Sequence, residues 1–290
     1  MPTPVTPPKP GRKSRDPIDV LRTRVWFHVV RLRSRLSSAY AIELAFEDRA
    51  ADLDGVKRPG KWSAYADGSR VPQRMQGKTF AVDIAESRLP GTAAYFESPL
   101  WSVLKGAKPT AKALEESLRQ LDFDVRSILF FQNAGNATRE PRLADFDVDS
   151  ARRLSRLGSF GALVAAVLLI ARSEAIASTT LRDLAFASYL EMQPIVEQSE
   201  ELGPFATEIF QAIDFRCKHW VFPTTQWRGD FVVSSRELRK VALRRGCDIT
   251  EILAELRLFL CEILADGLRR EGDPDGKVQY INVTIERPKS

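Results

Sequence analysis

The chain has 290 residues, of which 44% are hydrophobic and 28% charged, as is typical of a globular protein with one large or two small domains. The formal net charge is +5, so the chain as a whole is only mildly basic. Three cysteines (Cys217, Cys247 and Cys261) without a C-x-x-C pair exclude a disulfide framework and favour a reducing, cytoplasmic compartment.

The longest apolar stretch, residues 157–171, has 15 residues and includes one serine and two glycines. A membrane span needs about 20 apolar residues, so this stretch predicts a buried helix and no membrane partner. The N-terminus is rich in proline and lacks an apolar segment, so we expect no signal peptide.

Positive charge is concentrated near the N-terminus, where residues 9–35 hold nine basic side chains against two acidic ones. Residues 1–16 carry five prolines and predict a disordered basic tail. Asp16-Pro17 is a helix-start signal, and the helix that follows carries arginines that suit a polyanion such as nucleic acid: Arg22, Arg24, Arg31, Arg33 and Arg35. Alternatively, these charges belong to a solvated N-terminal segment that only keeps the protein soluble.

A second helix is predicted after Ser37-Ser38, and a third is predicted around Trp62 and Tyr65. Trp62 and Tyr65 are three residues apart and share one helix face. Gly68 is expected in the left-handed conformation at the helix end, and Pro72 prevents the helix from continuing.

Residues 37–72 resemble the helix-turn-helix domain of Xre/Cro-like DNA-binding proteins, with fifteen residues between Phe46 and Trp62 where those families have a short turn. The resemblance implies a recognition helix in which Trp62 and Tyr65 pack inward. It also implies contacts to nucleic acid from basic residues around that helix: Lys57, Arg58, Lys61, Arg70 and, just after it, Arg74.

The predicted organisation is mainly α, with a nucleic-acid-binding helical domain at 17–135, a linker at 136–149 and a second helical domain at 150–290. Helices of the first domain are separated at Pro90-Gly91 and Ser98-Pro99, and another begins at Pro109-Thr110.

In the linker, Asp145, Asp147 and Asp149 alternate, and such carboxylates on an extended segment could hold Mg²⁺. The alternative, which we favour, is a loop whose last aspartate, or Ser150, caps the next helix.

The second domain is predicted as a bundle around an apolar helix that runs on from Leu154. Thr179-Thr180 should cap a helix that ends near Pro194. A β-hairpin is expected between 220 and 233 and a terminal strand at 278–285. Ser234-Ser235 should cap the next helix. With outward Arg239, Lys240, Arg244 and Arg245, this helix could pair with the one after it in a second helix-turn-helix-like unit with a winged-helix-like end.

Only two histidines, His28 and His219, are present, which disfavours histidine-based catalysis and multi-histidine metal sites. A zinc site from Cys217, His219, Cys247 and Cys261 is a weaker alternative. We therefore expect that the protein is not an enzyme and that it binds no cofactor and no metal. The weakest functional alternative is an enzyme or toxin that uses the linker aspartates.

The leading hypothesis is a DNA-binding regulator or an accessory protein of mobile elements or phage defence, with duplex DNA favoured over RNA as its partner. Phosphate neutralisation by the arginines would position it, and the C-terminal domain would mediate homodimerisation or bind a protein partner. The alternative is a helical scaffold or interaction subunit of a larger nucleoprotein assembly.

Overall fold

A computed structural model describes residues 15–46, 60–74, 76, 79–131, 141–216, 234–248 and 250–258. These residues are mainly α-helical, as predicted, and their extended pairing is a single antiparallel bridge between Phe130 and Leu143. The predicted hairpin, the terminal strand and nearly all of the N-terminal tail lie outside these ranges.

The helices follow one another in short segments. They are α1 (Pro17–Ser34), α2 (Ala39–Phe46), α3 (Lys61–Ala66), α4 (Ala81–Arg88), α5 (Ala93–Glu97), α6 (Pro99–Leu104), α7 (Ala111–Arg119), α8 (Phe123–Leu129), α9 (Val148–Leu157), α10 (Phe160–Ala175), α11 (Thr179–Gln198), a 3-10 helix (Gly203–Phe205), α12 (Ala206–Arg216) and α13 (Ser235–Arg245). Residues 250–258 are also helical.

Helix α10 lies at the centre of the fold, and every residue from 162 to 171 is buried. It packs against α11 and α9 and also against α6, α7 and α8, because an apolar helix must remove its whole circumference from water. The predicted apolar helix is therefore observed, but it does not run on from Leu154. Gly158 adopts a left-handed φ of +53° that ends α9, and the Ser159 side chain caps α10.

Helix α1 organises the N-terminal half through an aromatic cluster. The Trp26 and Trp62 rings stack with centroids 5.9 Å apart, and Phe46 and Phe96 pack edge-on against this pair. Trp62 is 0% and Tyr65 2% exposed, so both are packing residues, as expected. Gly68, with φ of +73°, lies against Val20 of α1.

A single hydrophobic core contains side chains from both predicted domains. α6 and α7 pack on α10, while α1 and α6 pack on α12. Leu143 and Phe146, which lie between the two predicted domains, are partly buried against the same core. The two halves of the described chain are thus joined by extensive apolar contact.

Most helix starts agree with the capping signals of the sequence. Asp16, Ser98 and Thr110 each accept a hydrogen bond from a backbone N–H of the first helical turn. Three expectations were wrong. Ser234 precedes α13 without making a side-chain capping bond. Asp147, and neither Asp149 nor Ser150, caps α9. Ser178 caps α11, which continues past Pro194 to Gln198 because Leu190, Met192 and Val196 are all 0% exposed and hold it in the core.

A buried polar network fastens α13 to α11 and α12. The Asp214 carboxylate accepts hydrogen bonds from the backbone N–H of Ser235 (2.9 Å), from its hydroxyl (3.0 Å) and from the Tyr189 hydroxyl (3.2 Å). Gln193 Nε2 donates to the Ser235 hydroxyl oxygen at 2.7 Å. Asp214 thereby caps α13 from a neighbouring helix, since Ser234 at the N-cap position makes no side-chain capping bond.

The Asp214 network should make stability depend on pH. Burial raises the pKa of Asp214 to about 6 despite its hydrogen bonds. The folded protein therefore binds more protons than the unfolded chain between about pH 4 and 6, and its stability falls as the pH rises through this window. The shift corresponds to at most about 3 kcal/mol. Urea denaturation at pH 5 and pH 7 should show wild type losing stability relative to Asp214→Asn at the higher pH.

The exposed carboxylate of Asp124 provides the control, and Asp124→Asn should track wild type at both pH values. A wild-type-to-Asp214→Asn difference that is the same at pH 5 and pH 7 would contradict this assignment.

Gly68 should tolerate no side chain, because it combines a left-handed φ with a close neighbour. A Cβ at this position would lie 2.6 Å from Val20 Cγ1, whereas a Cβ at Gly246 (φ +63°) would meet no atom within 4 Å. Gly246→Ala should cost about 1 kcal/mol from backbone strain alone, and Gly68→Ala about 2–3 kcal/mol. Thermal denaturation measures both, and an equal loss would show that the α1–α3 contact adjusts without cost.

Candidate nucleic-acid interface

Two arginines in the first half of α1 are held by neighbouring side chains. Arg22 Nη2 lies 2.9 Å from Asp19 Oδ1, and its guanidinium lies 4.4 Å from the centroid of the Phe96 ring. Arg24 Nη1 lies 2.7 Å from Glu208 Oε2 of α12. Both side chains are partly buried, so they act as bridges between helices.

Arg33, near the end of α1, belongs to a cluster that ties this helix to the turn after α11. Its guanidinium donates to Glu201 Oε1 at 2.9 Å and to the Pro90 carbonyl at 3.2 Å. The Tyr95 hydroxyl donates a short hydrogen bond to Glu201 Oε2. Burial, with the nearby Glu201 carboxylate, raises the pKa of Tyr95, so this hydroxyl keeps its proton at physiological pH.

Arg74 is exposed but is also paired. Its guanidinium lies 2.8 Å from Asp83 and 2.8 Å from Glu97, and it covers the Phe80 ring at 4.3 Å. Four of the ten residues predicted to bind nucleic acid, namely Arg22, Arg24, Arg33 and Arg74, are therefore engaged within the protein.

The other predicted residues lie apart from one another. Arg31, Arg35 and Arg70 are exposed and form no ion pair with another described residue, whereas Lys61 is partly buried and has contacts of its own. Lys57 and Arg58 lie outside the described residues. Gly68 contacts Val20, eleven residues before Arg31, so about 16 Å of helix separates the α3 end of α1 from Arg31.

Helix α3 presents a small outer face of mixed charge. It has six residues, and the exposed positions on and just after it include Ser63, Ala66, Asp67 and Arg70. Hydrogen bonds from Ser69 hold the pKa of Asp67 below its usual value, so this carboxylate stays charged beside Arg70.

A basic surface that includes none of the predicted binding residues lies on α9. Ala151, Leu154 and Ser155 are buried, while the opposite side exposes three arginines, which we call the α9 arginine face: Arg152, Arg153 and Arg156. Arg153 and Arg156 form no ion pair with any described residue, and Arg152 is 3.7 Å from the highly exposed Asp149. The helical spacing of Ala151, Leu154 and Ser155 was the available sequence signal for this face.

The predicted second helix pair is present but mixed in charge. α13 ends at left-handed Gly246, and helical residues resume at 250. Arg239 was expected to point outward, but its side chain is 15% exposed and pairs with Glu197 at 3.0 Å. Arg245 pairs with Glu255, and Lys240 pairs with Glu237. Burial of Leu238 and Ala242 turns Arg239 toward α11.

The linker aspartates are not arranged for a metal ion. Asp147 Oδ1 accepts the Ser150 N–H at 2.8 Å, which lowers the pKa of Asp147, and the segment turns helical at Val148, so the three carboxylates do not share an extended face. Among the described residues, no three His, Cys, Asp or Glu side chains cluster as a metal site would require. Of the proposed zinc ligands, Cys217, His219 and Cys261 lie outside those residues.

Comparison of the chain with protein-family models, curated proteins and solved structures gives no significant match to any of them. None of the helices in the described ranges combines the length and the apolar character of a membrane-spanning segment.

Stability measurements can distinguish the ion-paired Arg33 from the exposed Arg31 on α1. Arg33→Gln should lower the free energy of unfolding by about 1 kcal/mol, because it removes a partly exposed ion pair and the hydrogen bond to Pro90. Arg31→Gln, two residues earlier on the same helix, should change it by less than about 0.5 kcal/mol. Urea denaturation compares the two, and equal effects would contradict a structural role for Arg33.

Proposed function

We propose that the protein binds nucleic acid, with duplex DNA favoured, and that the α9 arginine face is its main contact surface. The supporting observation is that Arg153 and Arg156 are exposed on one side of a helix and form no ion pair with another described residue. Guanidinium groups in this state can bind phosphate oxygens without first breaking an internal bond.

The mechanism is phosphate neutralisation, which positions the protein and releases counterions from the nucleic acid. The exposed Arg31, Arg35 and Arg70 add separate positive charges near the end of α1 and after α3. A role as a DNA-binding regulator or accessory protein in the cytoplasm follows from the Xre/Cro-like resemblance and the cysteine content, and it is part of the proposal.

The C-terminal helices are proposed to bind a second copy of the chain or another protein. Leu243 on α13 and Phe215 on α12 are 74% and 53% exposed, and α12 and α13 are in contact. Exposed large apolar side chains on neighbouring elements are a common feature of protein interfaces.

A second candidate is a helical scaffold or interaction subunit of a larger nucleoprotein assembly. The internal pairing of Arg22, Arg24, Arg33 and Arg74 favours it, because these side chains stabilise the helical packing and leave the N-terminal arginine cluster with less free charge.

Fluorescence anisotropy with random duplex DNA and single-stranded RNA, across a salt series, tests the proposal. Wild type should bind duplex DNA with an affinity that falls steeply with salt. An Arg153→Gln, Arg156→Gln double variant should bind about tenfold or more weakly, and its plot of log affinity against log salt should be shallower by about 2, since each phosphate contact contributes about 0.9.

Two further double variants remove the same charge elsewhere. Lys108→Gln with Lys112→Gln, at exposed positions, should have a small effect on affinity. A loss confined to Arg31→Gln with Arg35→Gln would move the contact surface to α1. An equal loss in all three variants would mean that only net charge matters. No binding of wild type to either polymer would overturn nucleic-acid binding and leave the interaction subunit.

A further inference from the structure

A cavity of about 400 Å³ opens where the end of α10 meets the start of α11, beneath the segment of residues 142–146. The Phe130–Leu143 bridge holds this segment in place, with the Phe131 N–H donating to the Arg142 carbonyl at 3.0 Å and the Ala144 N–H to the Leu129 carbonyl at 2.8 Å. This volume is within the range of small-molecule sites.

The cavity combines an apolar wall with two arginines. Leu143, Phe146 and Ile176 supply the accessible apolar surface, and Leu129 and Leu169 also line the cavity but are almost fully buried. Arg142 and Arg172 line it as well. Neither guanidinium forms an ion pair within the described part of the chain. The Nε atom of Arg172 is buried and has no hydrogen-bond partner in the described part of the chain, so no described side chain compensates the charge of this guanidinium.

The N-terminus of α11 adds to the positive potential. Ser178, Thr180 and Leu181 line the cavity, and α11 has 20 residues, so the partial positive charge of its first turn lies beside the two arginines. Two carboxylates also line the cavity. Glu115 pairs with Arg119 at 2.6 Å, and Glu116 shares this arginine at 3.2 Å, while Asp145 is exposed, as is Arg142. The place for an anionic group is therefore beside Arg172 and the first turn of α11, where no described carboxylate pairs with the guanidinium.

From this combination we propose that the cavity binds an organic anion, a small molecule with an apolar or aromatic body and one carboxylate or phosphate group. The anionic group pairs with Arg172 and Arg142 at the α11 N-terminus, and the apolar body lies against Leu143, Phe146 and Ile176. The site is independent of the α9 arginine face and does not rest on nucleic-acid binding.

Isothermal titration calorimetry on the full chain tests the site with benzoate, phenyl phosphate, inorganic phosphate and uncharged benzyl alcohol. Saturable binding of at least one aromatic anion is expected, with inorganic phosphate weaker because it lacks the apolar body, and with benzyl alcohol weaker because it lacks the charge. No saturable binding of either aromatic anion, or equal binding of benzyl alcohol, would overturn the proposal.

Variants test whether the anion binds in this cavity, and a folding control excludes loss of binding by misfolding. Arg172→Gln should weaken the aromatic anion about tenfold or more, since it removes a charge-assisted contact. Ala144→Phe should block the cavity while leaving every charge in place. Arg156→Gln, on α9, is the matched control and should bind as wild type. Circular dichroism confirms that each variant is folded, and unchanged affinity in both folded cavity variants would refute this site.

Discussion

Burial of the central ten residues of α10 is the constraint on which the rest of the structure depends. Ten successive residues, 162–171, are removed from water, and each large aliphatic side chain among them contributes about 1.5–3 kcal/mol when fully buried. No single neighbour can cover a helix on all sides. Helices before it in the chain (α6, α7 and α8) and helices around it (α9 and α11) must therefore surround it, and this joins the two halves of the described chain in one core.

The same packing decides what the arginines of α1 do. Val25, Trp26, Val29 and Val30 are buried at 0% exposure, so α1 is an inner helix with only narrow polar margins. Arg24 and Arg33 emerge at these margins beside Glu208 and Glu201, and they bridge α1 to the C-terminal helices. Two arginines of the basic N-terminal cluster thereby connect distant parts of the chain, whereas Arg31 and Arg35 stay exposed.

The two proposed binding surfaces arise from different physical features. The α9 arginine face is convex and solvated, which suits an extended polyanion that is held by charge. The cavity beside Arg172 is concave and partly apolar, which suits a small molecule held by both burial and charge. Its walls come from segments that the α10–α11 connection and the Phe130–Leu143 bridge bring together. A ligand there would directly contact the end of α10 and the start of α11, the two longest helices in the described C-terminal half.

How much the sequence could predict depends on the range of the interaction concerned. The capping roles of Asp16, Ser98 and Thr110, the left-handed Gly68 and the packing role of Trp62 were all predictable, because each rests on signals within a few residues. The passage of α11 through Pro194 was not, since burial of the residues around Pro194 in the core overrides the local stop signal.

For the candidate sites, the sequence by itself determined where basic residues are concentrated and that the chain is mainly helical. Only the tertiary structure decided which arginines are free. The carboxylates that pair with Arg33 and Arg24 are 168 and 184 residues away along the chain. Asp214 and Ser235, which are hydrogen-bonded, are 21 residues apart. The cavity that Arg172 lines is formed by residues from several separate segments of the chain. The pairing of such groups depends on how the helices pack around α10, and this packing cannot be deduced from the spacing of residues along the sequence.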